Sequence, residues 1–459
     1  MKPKRTFLTL CLLLALCFGT YAQDWPQYLG PERNSKSFET GLIREWPASG
    51  PEVLWSVPVG IGFGGPVVKG GKVYLLDRDD ETGDIMRCFD LNTGQELWKY
   101  SYAAAGSVQF PGSRSVPLVD DKHVYSCGPY GDLYCIDINT HQPVWNVNIW
   151  TDFGGQPGNP KESEGSQRQD GKGSFPTWAI TQNPLVYGDL LIVASQAPEA
   201  GVVAYDKNTG VVRWRTPSLG QTGYVSPTVV KIDGNDQLVM VTASSGGRGG
   251  RELVPGNVVG LNPLTGEQLW IFSQWVCGIP IPGVVDAGNN KLLVTGGYEL
   301  GALMIQVEKG QDGQYIAKEL FRTVEFGDQT KTPLLLDGYF YGQYGTNSRR
   351  DGLTCMNMNG EIMWKTMREP NFNKGSLLWA DGLILASDGT KTLYLIEPSP
   401  EAFSPISQAD ILGSYTANNE ASSETGSGGP TQNWAPLALA DGKLLIRDQE
   451  RMYCVKVGK

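Results

Sequence analysis

The sequence predicts an all-β fold, an eight-bladed β-propeller of four-stranded blades whose last blade is closed by an N-terminal strand. Three observations carry this prediction. A hairpin motif recurs along the chain, an apolar strand signal recurs eight times, and the two chain ends hold complementary halves of one repeat.

The hairpin motif is clearest at CFDLNTGQELW, from Cys88 to Trp98. It returns as CIDINTHQPVW ending at Trp145, AYDKNTGVVRW ending at Trp214, GLNPLTGEQLW ending at Trp270 and the shorter CMNMNGEIMW ending at Trp364. A small residue opens a strand, and Asp or Asn bonds its own backbone two residues on to start a turn. Gly supplies positive φ, and the returning strand carries a Trp. Asn262 and Asn357 keep the turn chemistry. His141 at the Gly position is the larger departure, although His tolerates left-handed backbone better than most residues.

The strand signal starts at Pro66, Pro117, Pro184, Pro227, Pro282, Pro333, Ser376 and Pro436, spaced by 43 to 67 residues. That spacing suits four-stranded blades with their loops. Blades five and seven lack the Trp, and Phe321 is expected to replace it in the fifth. EVLWSVP, Glu52 to Pro58, has the end of a repeat without its beginning, whereas RMYCVKV near the C-terminus has the strand without its Trp. Together they complete one blade. The expected organisation is a signal peptide at 1–22, an N-terminal arm at 23–51 and the propeller at 52–459.

The leader reading rests on basic MKPKR, a short apolar stretch and Thr20-Tyr21-Ala22 before Gln23. It implies export to the periplasm or the extracellular space. Lipid anchoring at Cys17 is the weaker alternative, because Leu16 stands where a small residue is needed. With 58 Gly, 29 Pro and 19% charged residues the composition is turn-rich. Removing Lys2, Lys4 and Arg5 takes the net charge from −10 to −13. Such an acidic chain, without a basic run or a second apolar span, is expected to bind no nucleic acid, to have no membrane span and to act as a monomer. Of the six cysteines after the leader, Cys88, Cys135, Cys355 and Cys454 occupy the repeat's small-residue position and read as buried thiols. Cys127 with Cys135 is the one pair near enough in sequence for a hairpin disulfide.

The small-x-Asp-x-x-x-Gly-x-x-x-Trp hairpin resembles the tryptophan-docking repeat of the pyrroloquinoline-quinone (PQQ)-like propellers. DWPQYLGP in the arm resembles the start of secreted bacterial PQQ-like repeat proteins. The resemblance covers nearly the whole chain after the leader. It implies that Trp98, Trp145, Trp214, Trp270 and Trp364 pack between blades. Members of this family include quinoprotein alcohol dehydrogenases and propellers of outer-membrane-protein assembly, so one fold carries several functions.

Chemistry is expected at the funnel rimmed by the innermost strands. Just before those strands stand Arg114, Lys331 and Lys374, with Gln182, Tyr224, Trp434 and nearby Trp178. Cations in an acidic protein suit a carboxylate-bearing ligand, and aromatic rings suit a planar ring or a sugar face. The bland alternative is ordinary rim packing, strongest for Phe63. The leading expectation is a non-catalytic binding or scaffold module for a protein, peptide or saccharide. The alternative is a PQQ- and calcium-dependent alcohol or sugar dehydrogenase. Its known relatives carry adjacent cysteines over the quinone, and this chain has no Cys-Cys pair. With two histidines, a His-based metal site or a Ser-His-Asp triad is not expected. Gly-rich SSGGRGGR, Ser244 to Arg251, reads as a blade turn, and acidic DRDDETGD, Asp77 to Asp84, as a solvated hairpin tip. The polar insertions at 151–177 and 404–433 are read as covering or mobile loops.

Overall fold

In a computed structural model the described residues are 23–104, 106, 108–158, 174–247, 252–344, 350–413 and 432–459. The expected leader with Cys17, the middle of both polar insertions and the end of the SSGGRGGR turn lie outside them.

Eight four-stranded antiparallel sheets form the propeller. Blades 1 to 7 span 67–103, 118–148, 185–215, 228–275, 285–323, 334–365 and 377–410, each with its strands paired in chain order. Blade 8 joins three C-terminal strands from 438–456 to Val53–Pro58, which pairs antiparallel with Arg451–Lys456. The first strand of blade 1, Val67–Lys69, touches the first strands of both blade 2 and blade 8, so the ring closes there. No described helix is long and apolar enough to cross a membrane.

Strand position follows from residue pattern. Middle strands such as Leu190–Val193 are buried along their whole length, whereas outer strands such as Glu96–Ala103 alternate between buried and exposed residues. A side-chain period of two lets an outer strand bury one face and solvate the other. The apolar core is divided among the blade junctions: one cluster joins Leu185 and Trp214 to Val259 and Leu261, and another joins Val258 and Trp270 to Leu303 and Ile305.

The recurring motif explains those junctions. Asp90 Oδ1 accepts from the backbone N–H groups of Asn92 and Thr93, and Gly94 follows at φ 72°. The small residue pairs directly opposite the Trp of its own blade, Cys88 with Trp98 and Gly260 with Trp270, and a β-bulge follows at once. Each ring then docks on the next blade's turn. A Cβ on Gly94 would lie 2.7 Å from the Trp55 ring, and one on Gly210 would lie equally close to Trp145. Trp55 Nε1 donates to the Leu91 carbonyl at 2.9 Å and Trp145 Nε1 to the Lys207 carbonyl at 3.0 Å. Phe321 performs the same docking on Gly360. At the blade 1–2 junction His141, at φ 60°, stacks its imidazole on Trp98 with centroids 4.8 Å apart. All six described cysteines are free and buried, so the Cys127–Cys135 disulfide alternative is corrected. In the hairpin Cys127 pairs with Leu133 and Cys135 with Tyr125, so the two thiols are not opposed.

The arm is more ordered than its lack of periodicity suggests. Trp25 exchanges backbone hydrogen bonds with Val68 of blade 1, and Val119 of blade 2 donates to the Pro26 carbonyl. Arg33 then reaches the carbonyls of Pro184 and Pro227, before blades 3 and 4. Ser35 and Ser37 bond Trp379 of blade 7, and Leu42 bridges to Gly458 beyond blade 8. The arm therefore crosses the ring from one side to the other. Near its end, Trp46 is buried in the core cluster that joins blades 7, 8 and 1, and its backbone N–H donates to the Ser407 hydroxyl of blade 7.

Candidate functional site

A cavity of about 370 Å³ lies on the axis of the ring. Every blade contributes to its wall, mostly through residues that immediately precede an innermost strand. Six of the seven residues singled out from sequence line it: Arg114, Trp178, Tyr224, Lys331, Lys374 and Trp434. Gln182 is outside the lining. Its amide is consumed between blades, donating to the Gly223 carbonyl at 3.0 Å and accepting from Thr181 N–H at 2.9 Å. Among the lining residues that escaped sequence reasoning are Tyr28, Phe110, Tyr298 and Gln329. Tyr28 comes from the arm where it crosses the axis, so the arm forms part of the cavity wall.

The wall has two characters. One arc is aromatic: Phe63 stacks on Trp434 with centroids 5.4 Å apart, and Phe110 leans on Trp434 at 6.0 Å. Across the ring, Trp178 meets Tyr224 edge-on at 5.5 Å. Phe63 both packs on Trp434 and lines the cavity. The second character is cationic. Lys374 holds its Nζ 4.0 Å from the centre of the Trp434 ring, and the Arg114 guanidinium sits 5.8 Å from that of Phe63. Arg114 also donates to the carbonyls of Gln109 and Phe110, which ties down the loop that presents Phe110. Its Nε is buried without a partner.

Lys331 is only 8% exposed, and its Nζ has a hydroxyl neighbour in Thr330 at 3.3 Å. Nearby Asp328 does not form an ion pair with it. That carboxylate accepts from the backbone N–H groups of Thr330, Lys331 and Gln343. Burial pushes the Lys331 amine down to about 8 against the pull of Asp328, and the charge of Lys374 adds to the fall. Burial also lowers Lys374, and brings Arg114 down to about 10. Arg33, beneath Tyr28, is likewise brought down to about 10 by burial. These groups share one condition: each is a desolvated cation without a described acidic partner.

One acidic feature departs from expectation. In the Asp77 to Asp84 run only the tip around Asp79 to Thr82 meets solvent. Arg78 and Asp84 are fully buried as a 2.7 Å ion pair, and Arg78 also holds Asp80 and the carbonyls of Ala104 and Gly106. The tip is thus solvated as expected, whereas the base of the hairpin is a buried polar anchor between blades 1 and 2, with Arg78 5.3 Å from the centre of the Tyr130 ring.

Comparison with known proteins identifies the repeat. The family described as outer membrane protein assembly factor BamB matches residues 81–274. A quinoprotein ethanol dehydrogenase of Pseudomonas aeruginosa is 26% identical over 178 residues, 38% of this chain and 24% of the relative. The matched repeats are similar to those of PQQ-like propellers. A quinohemoprotein alcohol dehydrogenase of Comamonas testosteroni is 30% identical over 159 residues, 33% of this chain and 19% of the relative. The matched segment thus spans about a quarter or less of these curated relatives. Among solved structures, BamB from Moraxella catarrhalis aligns with a TM-score of 0.52 at 13% identity, covering 88% of this chain and 96% of that one. A europium-containing methanol dehydrogenase aligns with a TM-score of 0.61 at 14% identity, covering 92% and 89%. At such identities the solved structures share the fold with this propeller.

The PQQ and calcium implied by the dehydrogenase resemblance can be tested against the wall. Its cations suit the carboxylates of a quinone. The calcium ion does not fit, since a hard cation takes carboxylate and carbonyl oxygens, and no Asp or Glu lines the cavity. Among the described residues no group of three His, Cys, Asp or Glu side chains could hold a metal.

Proposed function

We propose that this PQQ-like propeller is an exported, non-catalytic binding module that receives an anionic ligand in its axial funnel. The observation that carries this reading is the convergence of Arg114, Lys331 and Lys374 on one cavity, none of them in an ion pair with a carboxylate among the described residues. Buried unpaired charge is costly, and a ligand carboxylate would offset that cost. In a chain of net charge −10 a local cationic well also steers anions toward the ring axis. The aromatic arc supports a ligand with a ring-shaped body. Export is supported by the leader pattern and by similarity to a family named for outer-membrane-protein assembly.

A second reading draws on the matched relatives, which are named as quinoprotein and quinohemoprotein dehydrogenases. The wall supports its quinone but not its calcium. Titration of the purified protein with PQQ, with and without calcium, separates the two readings. The expected result is no calcium-dependent quinone band and no dye-linked alcohol oxidation. Saturable calcium-dependent PQQ binding with turnover would replace the binding-module reading by the dehydrogenase one.

A further inference from the structure

We propose that the funnel takes an acidic saccharide with two uronate-type carboxylates, bound without a divalent metal by Lys331 and Lys374 on one side and Arg114 on the other. This rests on the funnel-binding reading above and narrows it to one ligand class.

The placement of charge is the first argument. Lys331 precedes blade 6 and Lys374 precedes blade 7, so these amines come from adjacent blades onto one cavity, and the charge of Lys374 acts on Lys331. Arg114 precedes blade 2, diametrically opposite blade 6 in an eight-membered ring. One carboxylate cannot serve both sides. A ligand with acidic groups at two ends can, and consecutive uronate rings present them that way.

The neutral groups between the cations supply the second argument. Gln329 lines the cavity with its Oε1 buried and without a hydrogen-bond partner. A buried acceptor left unmade costs free energy, and a sugar hydroxyl satisfies it. Were the amide turned over, a hydroxyl would equally accept from its NH₂ group. A flat aromatic diacid brings faces and carboxylates but no hydroxyl for this position. An acidic peptide brings amides, yet it has no ring face for Trp178 and loses more conformational freedom on binding. Trp178 is half-buried and meets Tyr224 edge-on, leaving ring surface for the C–H face of a pyranose. The cavity's size lies in the range of small-ligand pockets. Its wall lacks the carboxylates that a bridging calcium would need, which is why the cations must meet the ligand directly.

The test is calorimetric titration of the protein from residue 23 onward, in EDTA, with digalacturonate as probe. Galacturonate, cellobiose, benzene-1,4-dicarboxylate and a tetraglutamate peptide serve as comparisons. Saturable digalacturonate binding is expected, at least about tenfold tighter than galacturonate, with no cellobiose binding. K374Q and R114Q should each weaken it about tenfold, the loss of one charge-assisted contact. Because Arg114 also holds its own loop, K374Q is the cleaner variant, and its thermal midpoint should match the parent. Failure of digalacturonate to bind, affinity no better than that for cellobiose, or a requirement for calcium would overturn the proposal. Binding of the aromatic diacid or the peptide in place of digalacturonate, weakened by K374Q, would overturn the saccharide class and leave the funnel reading standing. If none of the anions binds, both fall.

Discussion

Trp98 and Trp214 do the same work against different neighbours. Trp214 rests on Gly266, where any Cβ would enter its ring, whereas Trp98 rests on an imidazole. Trp214→Ala should destabilise the protein by about 3–5 kcal/mol in denaturant unfolding, as for other buried large-to-Ala truncations. Ligand affinity should stay unchanged, because Trp214 is remote from the cavity wall. At His141 two effects oppose each other, since the left-handed backbone disfavours any side chain while the stack on Trp98 favours this one. His141→Ala loses the stack and keeps the strain, an expected loss of about 1 kcal/mol. His141→Gly should lose less than the Ala variant in the same assay. Lys331 carries a pH dependence of binding. Its amine faces Asp328 from its own loop and Lys374 from blade 7, and it titrates at about 8, below the ordinary lysine value. The charged form therefore dominates below that value and is lost above it. Anion affinity measured at pH 9 should fall roughly tenfold below that at pH 7, and Lys331→Gln should flatten the difference.

At the scale of elements, the closing strand and the arm matter more than their length suggests. Val53–Pro58 covers the outer edge of Arg451–Lys456, and Trp55 docks blade 8 on blade 1. A chain beginning after residue 58 would expose a strand edge and lose the docking ring at the point of closure. Such a chain should unfold at a markedly lower temperature than the protein from residue 23, or associate, as read by thermal scanning and gel filtration. The arm makes a different contribution. Arg33 spans two carbonyls from successive blades and lies 5.7 Å from the Tyr28 ring centre. Arg33→Ala leaves the Pro184 and Pro227 carbonyls without this donor, and a loss of about 1–3 kcal/mol is expected in denaturant unfolding.

For the whole molecule, the sequence made the ring legible because each blade repeats the same local solution. Asp starts a turn, a small residue makes room, and Trp seals the junction, so residues 81–274 announce themselves four times over. The cationic half of the cavity was legible too, since a residue just before an innermost strand must sit near the axis. Tyr28, Gln329 and Tyr298 were not. Tyr28 reaches the axis through contacts with blades far along the chain, and no local pattern encodes that path. Gln329 and Tyr298 sit on loops whose aim is set by tertiary packing. The buried Arg78–Asp84 pair was hidden for a related reason: an acidic run reads as solvated until a neighbouring loop is seen to cover it. The arm's path has a kinetic consequence. Residues 35–42 of the arm, made early, have their docking surfaces on blades 7 and 8, the last to be made. Closure therefore demands contacts of very high sequence separation, which form slowly and late. Until residue 458 is in place, blade edges stay open to other chains. The cavity wall draws on residues from Tyr28 to Pro436, so it too is complete only once the residues before blade 8 have been made.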